Sequence, residues 1–475
     1  MIEFINNING AVNNFVWGPV MLALLVGFGL FMTLGTGFFQ FRKFNNIMKN
    51  TIGTVINSDK KQQQDDDDGG VSPYQAMTAA VASSVGVGSI AGVATAIVSG
   101  GPGAVFWMWI SALFGMMTKY SEVVLSVYFR SKDENGVNYG GPMYYIEKGL
   151  KCKWLAVIFA VFSGIACFGT GNMTQANSIA TALQSTFSVP TYVTGIVLAV
   201  LTGMVIFGGV SRITKTAEKL VPLMAIFYIL GSFVVIFVNA DKIPSVMSSI
   251  FSSAFSLKSA GGGIMGYAVM RAMRFGVARG IFSNEAGLGS APMLHATANT
   301  DNPVKQGMWG IFEVFVTTIC ICSMTALVIL TADVLDTGLT GAVLTSAAFS
   351  KVFGSLGGAF VSVSILFFAF SSILGWEYYG ECSWRYIFKG KEEKVSKVLR
   401  ILWIPTVFVG SVGNLEFIWS ISDTFNGLMI IPNIIALFFL SGIVFNLTKS
   451  YIKDPDSVVM KDEDLKYNNE KLISK

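Results

Sequence analysis

Residues 72–103, SPYQAMTAAVASSVGVGSIAGVATAIVSGGPG, are long and apolar enough to cross a bilayer, yet their centre reads Ala82-Ser83-Ser84-Val85-Gly86-Val87-Gly88-Ser89. A spanning helix gains nothing from glycines at its midpoint, since each lowers helix propensity by about 1 kcal/mol relative to alanine. Two arrangements accommodate them. Small residues let neighbouring membrane helices pack closely, and Ser84, Gly88 and Gly92 fall at the four-residue spacing this uses. Alternatively the helix stops and restarts, which suits Gly86 and Gly88 lying two apart with serines on either side. This stretch alone leaves both open.

A helix broken at mid-membrane is a ligand-binding device. Its first half ends in carbonyls without intrahelical partners, and its second begins with free N–H groups. Hydrocarbon cannot satisfy these groups, so protein, water or a ligand must. The carbonyls suit a small cation such as Na⁺. The N–H groups, with the positive end of the second helix dipole, suit a carboxylate.

Composition identifies the solvent. The chain has 475 residues, 52% hydrophobic and 13% charged, with a mean hydropathy of +0.59. Soluble domains are about 25% charged, so this is an all-α polytopic membrane protein, its apolar runs too long for barrel strands. About eleven spans are expected, at 14–38, 73–99, 103–130, 153–184, 191–208, 216–239, 263–298 (irregular), 305–332, 348–380, 396–413 and 416–446. The opening MIEFINNING lacks a basic head and a small-residue cleavage site, so no cleavable signal peptide is expected. The net charge of +4 does not point to nucleic acid, because the basic residues lie in short loops between spans. With no C-x-x-C pair and His295 as the single histidine, a structural zinc or iron–sulfur site is not expected, and no cofactor is called for. No P-loop occurs, which argues against direct use of ATP. The Asp65–Asp68 run lacks the spaced ligands of a calcium loop and reads as a solvated linker.

Lys and Arg crowd the loops after spans one, three, five and nine, among them Arg42, Lys43, Arg130, Lys132, Arg212, Lys215, Arg385 and Lys389. The alternate loops (SGGPG, TFSVP, DVLDTG, SVGN) are short or poor in positive charge. The N-terminus is therefore expected outside a cell membrane and the C-terminus in the cytoplasm. Setting the first span aside leaves ten, divisible into two sets of five with opposite orientation. Residues 1–72 then form an extra helix and loop, 73–240 a first repeat, 241–446 a second and 447–475 a tail. The opening helix of each set is the irregular one, SSVGVGS in the first and RGIFSNEAGLGSAP in the second. Irregular segments at corresponding positions of two halves point to a transporter site, and favour the broken helix over close packing.

Other polar residues stand in apolar surroundings. Arg271 and Arg274 are read as snorkelling to, or pairing at, the outer surface. Ser283-Asn284-Glu285-Ala286-Gly287 reads as a second helix start, with Phe282 just before it as a wall for a small pocket. In FGTGNMTQANSIATA, Asn172, Gln175, Asn177 and Ser178 crowd one region, where Gln175 suits a substrate or an inter-helix hydrogen bond equally. Ser371 and Ser372 offer hydroxyls to a cation, and Trp376 shares a helical face with Ser372. Lys119 and Glu122, three apart, are read as a local pair. Glu313 and Asp423 are expected to be structural or gating residues before substrate contacts.

Several ordered blocks together, GGVSPYQAMTAAVASSVGVGSIAGVATAI, GGPGAVFWMWISALFGMMTKYSEVVL, GGPMYYIEKGL, GNMTQANS, GIFSNEAGLGSAP, FAFSSILGWEYYGE and DTFNGLM, resemble the alanine or glycine:cation symporter family. The resemblance implies a LeuT-type five-plus-five inverted repeat preceded by one extra helix, and a sodium-dependent carrier of small neutral amino acids, not an enzyme. Carried over, it implies that the backbone from Val85 through Gly86, Val87 and Gly88 to Ser89 holds the substrate carboxylate. Gln175 hydrogen-bonds the substrate, Ser372 and Trp376 line the pocket, and Phe282 closes it. Na⁺ is implied at the carbonyls around Ala82 and Val85 with Ser371 or Ser372. The family usually reads T-G-N where this chain has Val87-Gly88-Ser89, and Thr where it has Ser372. Those departures bear on substrate and cation number, not on fold. Proton coupling through Glu313 or Asp423, a channel and a transporter-like sensor are the competing readings.

Overall fold

A computed structural model describes residues 2–56, 70–133, 136–255, 263–413 and 416–460. The Asp65–Asp68 run and the end of the C-terminal tail lie outside these. Apart from a two-stranded hairpin pairing Ser131–Lys132 with Asn138–Tyr139, the described residues are helical or loop. Among them seven helices are long and apolar enough to cross a membrane, corresponding to expected spans one, four, six, eight, nine, ten and eleven. The other expected spans appear as Gly103–Tyr128, Thr191–Ile206, Gly263–Asn284 and the interrupted pair Pro73–Ser84 and Ala91–Gly100. Helices at the periphery face outward with apolar stripes: along Gly209–Val238, Leu223, Ile226, Leu230, Phe233 and Phe237 are exposed at helical spacing. A row of large exposed apolar side chains fits a hydrocarbon solvent.

Several boundaries differ from the sequence reading, each for a local reason. Expected span nine does not begin at 348. A helix Gly341–Phe353 ends at Gly354, whose φ of +59° stops it, and Leu356–Ile387 follows. The last span is divided into Glu416–Leu428 and Ile430–Lys453, where Pro432 lacks the N–H to continue the ladder. The first is interrupted at Gly18–Pro19. The segment 283–287 is not a helix start. Gly263–Asn284 ends there, the Asn284 Oδ1 accepts from the Ala286 N–H at 3.0 Å, and Glu285, Gly287 and Gly289 take φ of +55°, +93° and +82°. Within the rest of the expected 263–298 span the described residues form only the single helical turn Pro292–His295.

Two long helices organise the interior. Leu356–Ile387 packs on Pro73–Ser84, Lys153–Ala166, Thr174–Phe187 and Gly209–Val238, whereas Gly103–Tyr128 packs on Gly263–Asn284 and Pro303–Val314. The second group encloses charges. Lys119 does not pair with Glu122. Its Nζ lies 3.4 Å from Glu313 Oε1 on the Pro303–Val314 helix, and both side chains are fully buried. His295 Nε2 stands 3.0 Å from Glu313 Oε2, and Gln306 Nε2 donates to His295 Nδ1 at 2.9 Å. Ser84 donates to Glu313 Oε1 at 3.2 Å, joining this network to the end of the first broken helix. Glu122 instead accepts from Asn433 Nδ2 at 2.6 Å and from the Gly287 N–H at 3.1 Å. Spacing on one helix suggested the wrong partner because a buried charge goes to whichever opposite charge the packing supplies. Truncating Glu313 to Ala leaves Lys119 buried without its carboxylate, and should destabilise the protein by about 3–5 kcal/mol. A lowered melting midpoint in detergent, with Glu313→Gln intermediate, checks it.

Candidate functional site

The first broken helix begins with a capping box, Ser72 Oγ accepting from the Gln75 N–H and Gln75 Oε1 from the Ser72 N–H, each at 3.1 Å. It runs to Ser84. Val85 (φ −80°, ψ 69°) and Gly86 (φ −100°, ψ −155°) leave helical geometry, Val87–Ser89 make one 3₁₀ turn, and Ala91–Gly100 resumes. Of the two sequence readings, the break is the one found. A Cβ on Gly92 would meet nothing nearer than 3.9 Å, so close helix packing is not what requires it. A Cβ on Gly86 would lie 2.7 Å from Ser372 Oγ and 3.0 Å from Gln175 Oε1, and one on Gly88 2.8 Å from the Phe282 ring. These glycines let side chains from three other elements reach the break.

Those side chains answer the opened backbone. Ser371 and Ser372 hydroxyls donate to the Ala82 carbonyl at 3.0 and 3.1 Å, and Ser372 reaches the Ser83 carbonyl at 3.0 Å. On the restarting side Gln175 Oε1 accepts from the Val87 N–H at 3.3 Å. Gln175 is brought there by a π-helical turn, Cys167–Met173, whose wide pitch leaves the Thr170 carbonyl for Gln175 Nε2 at 3.1 Å. The other polar residues of that stretch serve packing: Asn172 donates to the Trp403 carbonyl, Asn177 to those of Gly410 and Gly413, and Ser178 to that of Thr174.

Between the two breaks lies a small cavity of ≈ 10 Å³, about the space one water needs. Gly86, Gly88, Gln175, Phe282 and Trp376 line it, as the sequence reading placed them. Ser371 and Ser372 stand behind it on the carbonyls of the first half-helix. Val85, Val87 and Ser89 are not among its lining residues, and the Ser89 hydroxyl turns to Ser283 Oγ at 2.9 Å. The sequence reading missed Ser83, Ser84, Thr170, Glu285, Leu288 and Asn426, which complete the lining. Glu285 and Asn426 lie in motif blocks and Thr170 directly before one, but only the packing of the elements that carry them aims them inward. Asp423 does not line the cavity. Its carboxylate takes Asn13 Nδ2 at 3.0 Å and its carbonyl takes Trp17 Nε1 at 3.1 Å, anchoring the first helices. Arg274, half-buried midway along its helix, reaches Asn14 Oδ1 with Nη2 at 3.5 Å.

A model of the sodium:alanine symporter family matches residues 2–465. This chain belongs to the sodium:alanine symporter family. Like other members of that family it is a transporter and not an enzyme. It is similar to the sodium/alanine symporter AgcS of Methanococcus maripaludis, 44% identical over 458 residues that make up 95% of this chain and 98% of that one. It is also similar to the probable sodium/glutamine symporter GlnT of Bacillus subtilis, 38% identical over 467 residues, 97% of this chain and 95% of that one. A solved Na⁺-coupled sialic acid symporter covers 96% of each chain with a TM-score of 0.51 at 12% identity, a likeness of fold. The polytopic, LeuT-type architecture expected from the sequence is thus the one found.

Gly86→Ala should abolish transport or reduce it to a few per cent while the protein still folds, because the methyl group displaces Ser372 and Gln175 and little else. Uptake compared with surface expression and monodispersity checks this.

Proposed function

We propose that this sodium:alanine symporter family member carries a small neutral amino acid, alanine or glycine, into the cell together with Na⁺. One observation carries the reading: the Ala82 and Ser83 carbonyls and the Ser371 and Ser372 hydroxyls converge within about 3 Å beside the interhelical cavity. Oxygens at this spacing need only rotate their hydroxyl protons away to turn lone pairs toward a cation. A small monovalent ion held there neutralises the negative end of the first half-helix. The substrate carboxylate docks at the restarting end, beside Gly86 and Gly88, where Gln175 already engages the Val87 N–H. Each ligand then supplies part of the other's environment, which is all that coupling requires. Trp376 and Phe282 wall the cavity, and its size favours the smallest side chains.

Alternating access follows as rocking of the first two helices of each repeat, 73–240 and 241–446, against the rest. The buried Lys119–Glu313–His295 network supports this division, since it ties together elements of that moving group. It also disfavours proton coupling through Glu313, whose two oxygens are both engaged, by Lys119, Ser84 and His295.

Alanine uptake into proteoliposomes should vanish when Na⁺ is replaced by K⁺; uptake indifferent to the swap disposes of the reading. A competition panel including glycine and glutamine then ranks substrates. Ser372→Ala should raise the Na⁺ concentration for half-maximal uptake about tenfold, the loss of one charge-assisted oxygen contact, while Ser372→Thr leaves it near the parent value.

A further inference from the structure

The cavity is lined by neutral groups with one exception, Glu285. This carboxylate sits at the second break, where the chain leaves the Gly263–Asn284 helix. The Glu285 N–H still donates to the Ile281 carbonyl at 2.7 Å, and its own carbonyl accepts from the Leu288 N–H at 3.2 Å. Between those bonds the residue takes φ +55°, uncommon for a side chain with a Cβ. The side chain is 2% exposed. One of its oxygens accepts from Ser290 Oγ at 2.5 Å, which fixes the carboxylate without neutralising it. Among the described residues no Lys, Arg or His nitrogen lies within 4 Å of it, and Lys119 is committed to Glu313. A carboxylate offers about four lone-pair sites, of which Ser290 and the Trp376 indole, neither of them charged, use two. Buried without a counter-charge, such a group is costly.

The two breaks also present opposite poles to the cavity. The Ala91–Gly100 helix begins on one side with its positive end, and the 22-residue Gly263–Asn284 helix finishes on the other with its negative end. A zwitterion laid between them has its carboxylate toward Gly86 and Gly88 and its ammonium toward Glu285. We propose that the Glu285 carboxylate binds the α-ammonium group of the transported amino acid. This rests on the amino-acid reading above and specifies which end of the substrate the second break reads. The pocket thereby rejects 2-hydroxy acids and simple carboxylates, which match the first break but leave Glu285 unpaired.

The test is calorimetric binding of alanine and of lactate, which carries a hydroxyl in place of the ammonium, to the full chain in lipid nanodiscs at saturating Na⁺. The parent protein should bind alanine at least about tenfold more tightly than lactate, as expected for a charge-assisted bond in a dry site. Glu285→Gln should weaken alanine about tenfold and leave lactate unchanged or tighter, bringing the ratio near one. Glu285→Asp, which retains the charge at shorter reach, should weaken alanine less and keep a preference over lactate. An unchanged alanine-to-lactate ratio in Glu285→Gln overturns the proposal, as does equal weakening of both ligands in Glu285→Asp. If Glu285→Gln instead raises the Na⁺ requirement at a constant ratio, the carboxylate holds the coupling ion and the assignment is wrong. A parent protein that binds no amino acid in Na⁺ sinks the transport reading itself, a result distinct from all of these.

Discussion

Every feature of this protein's interior follows from the need to find partners for peptide groups that have left a helix inside hydrocarbon. An intact helix satisfies its own backbone; a broken one needs help from elsewhere. At the first break that help comes from hydroxyls and an amide, at Ser371, Ser372 and Gln175, all of which can reorient. At the second it is rigid. Glu122 accepts the Gly287 N–H and Asn433 Nδ2 donates to the Gly287 carbonyl at 2.9 Å, so the two peptide units that flank the Gly287 Cα are both held. Asn433 is itself anchored by the Tyr145 hydroxyl. One break thus has partners that can reorient, and the other is held fixed while its side chains, Phe282 and Glu285, face the cavity.

Buried charge plays a complementary part. Lys119, Glu313 and His295 come from three segments and meet where all three side chains are fully buried, so packing fixes their mutual geometry. Such a network adds little net stability over an apolar core, but losing one member is severe. Through Ser84 it reaches the last turn before the first break. The helices it joins are therefore tied to one another, which is the coupling the proposed rocking motion needs.

Some of this was legible in the sequence. The glycine pair at 86 and 88, the membrane setting and the motif blocks located the first break, and Gln175, Phe282 and Trp376 do reach the cavity. Other expectations failed for physical reasons. Lys119 and Glu122 are neighbours on one helix face, yet each found a better partner across the interior. Ser283 to Gly287 has the composition of a helix start, but alternating glycines at 287 and 289 and the Asn284 side-chain bond make it a helix end. Glu285 carried no signal of pocket chemistry, because its placement depends on that left-handed turn.

The sequence by itself determined the solvent and the place where the first helix fails, since hydropathy and helix propensity are local properties of the chain. Tertiary structure alone decided which partners meet: Ser372 with the carbonyls of 82 and 83, Lys119 with Glu313, and one carboxylate facing an otherwise neutral cavity. Those pairings depend on helix rotation and on turns of unusual pitch or hand, and neither is written in the spacing of residues along one strand of sequence.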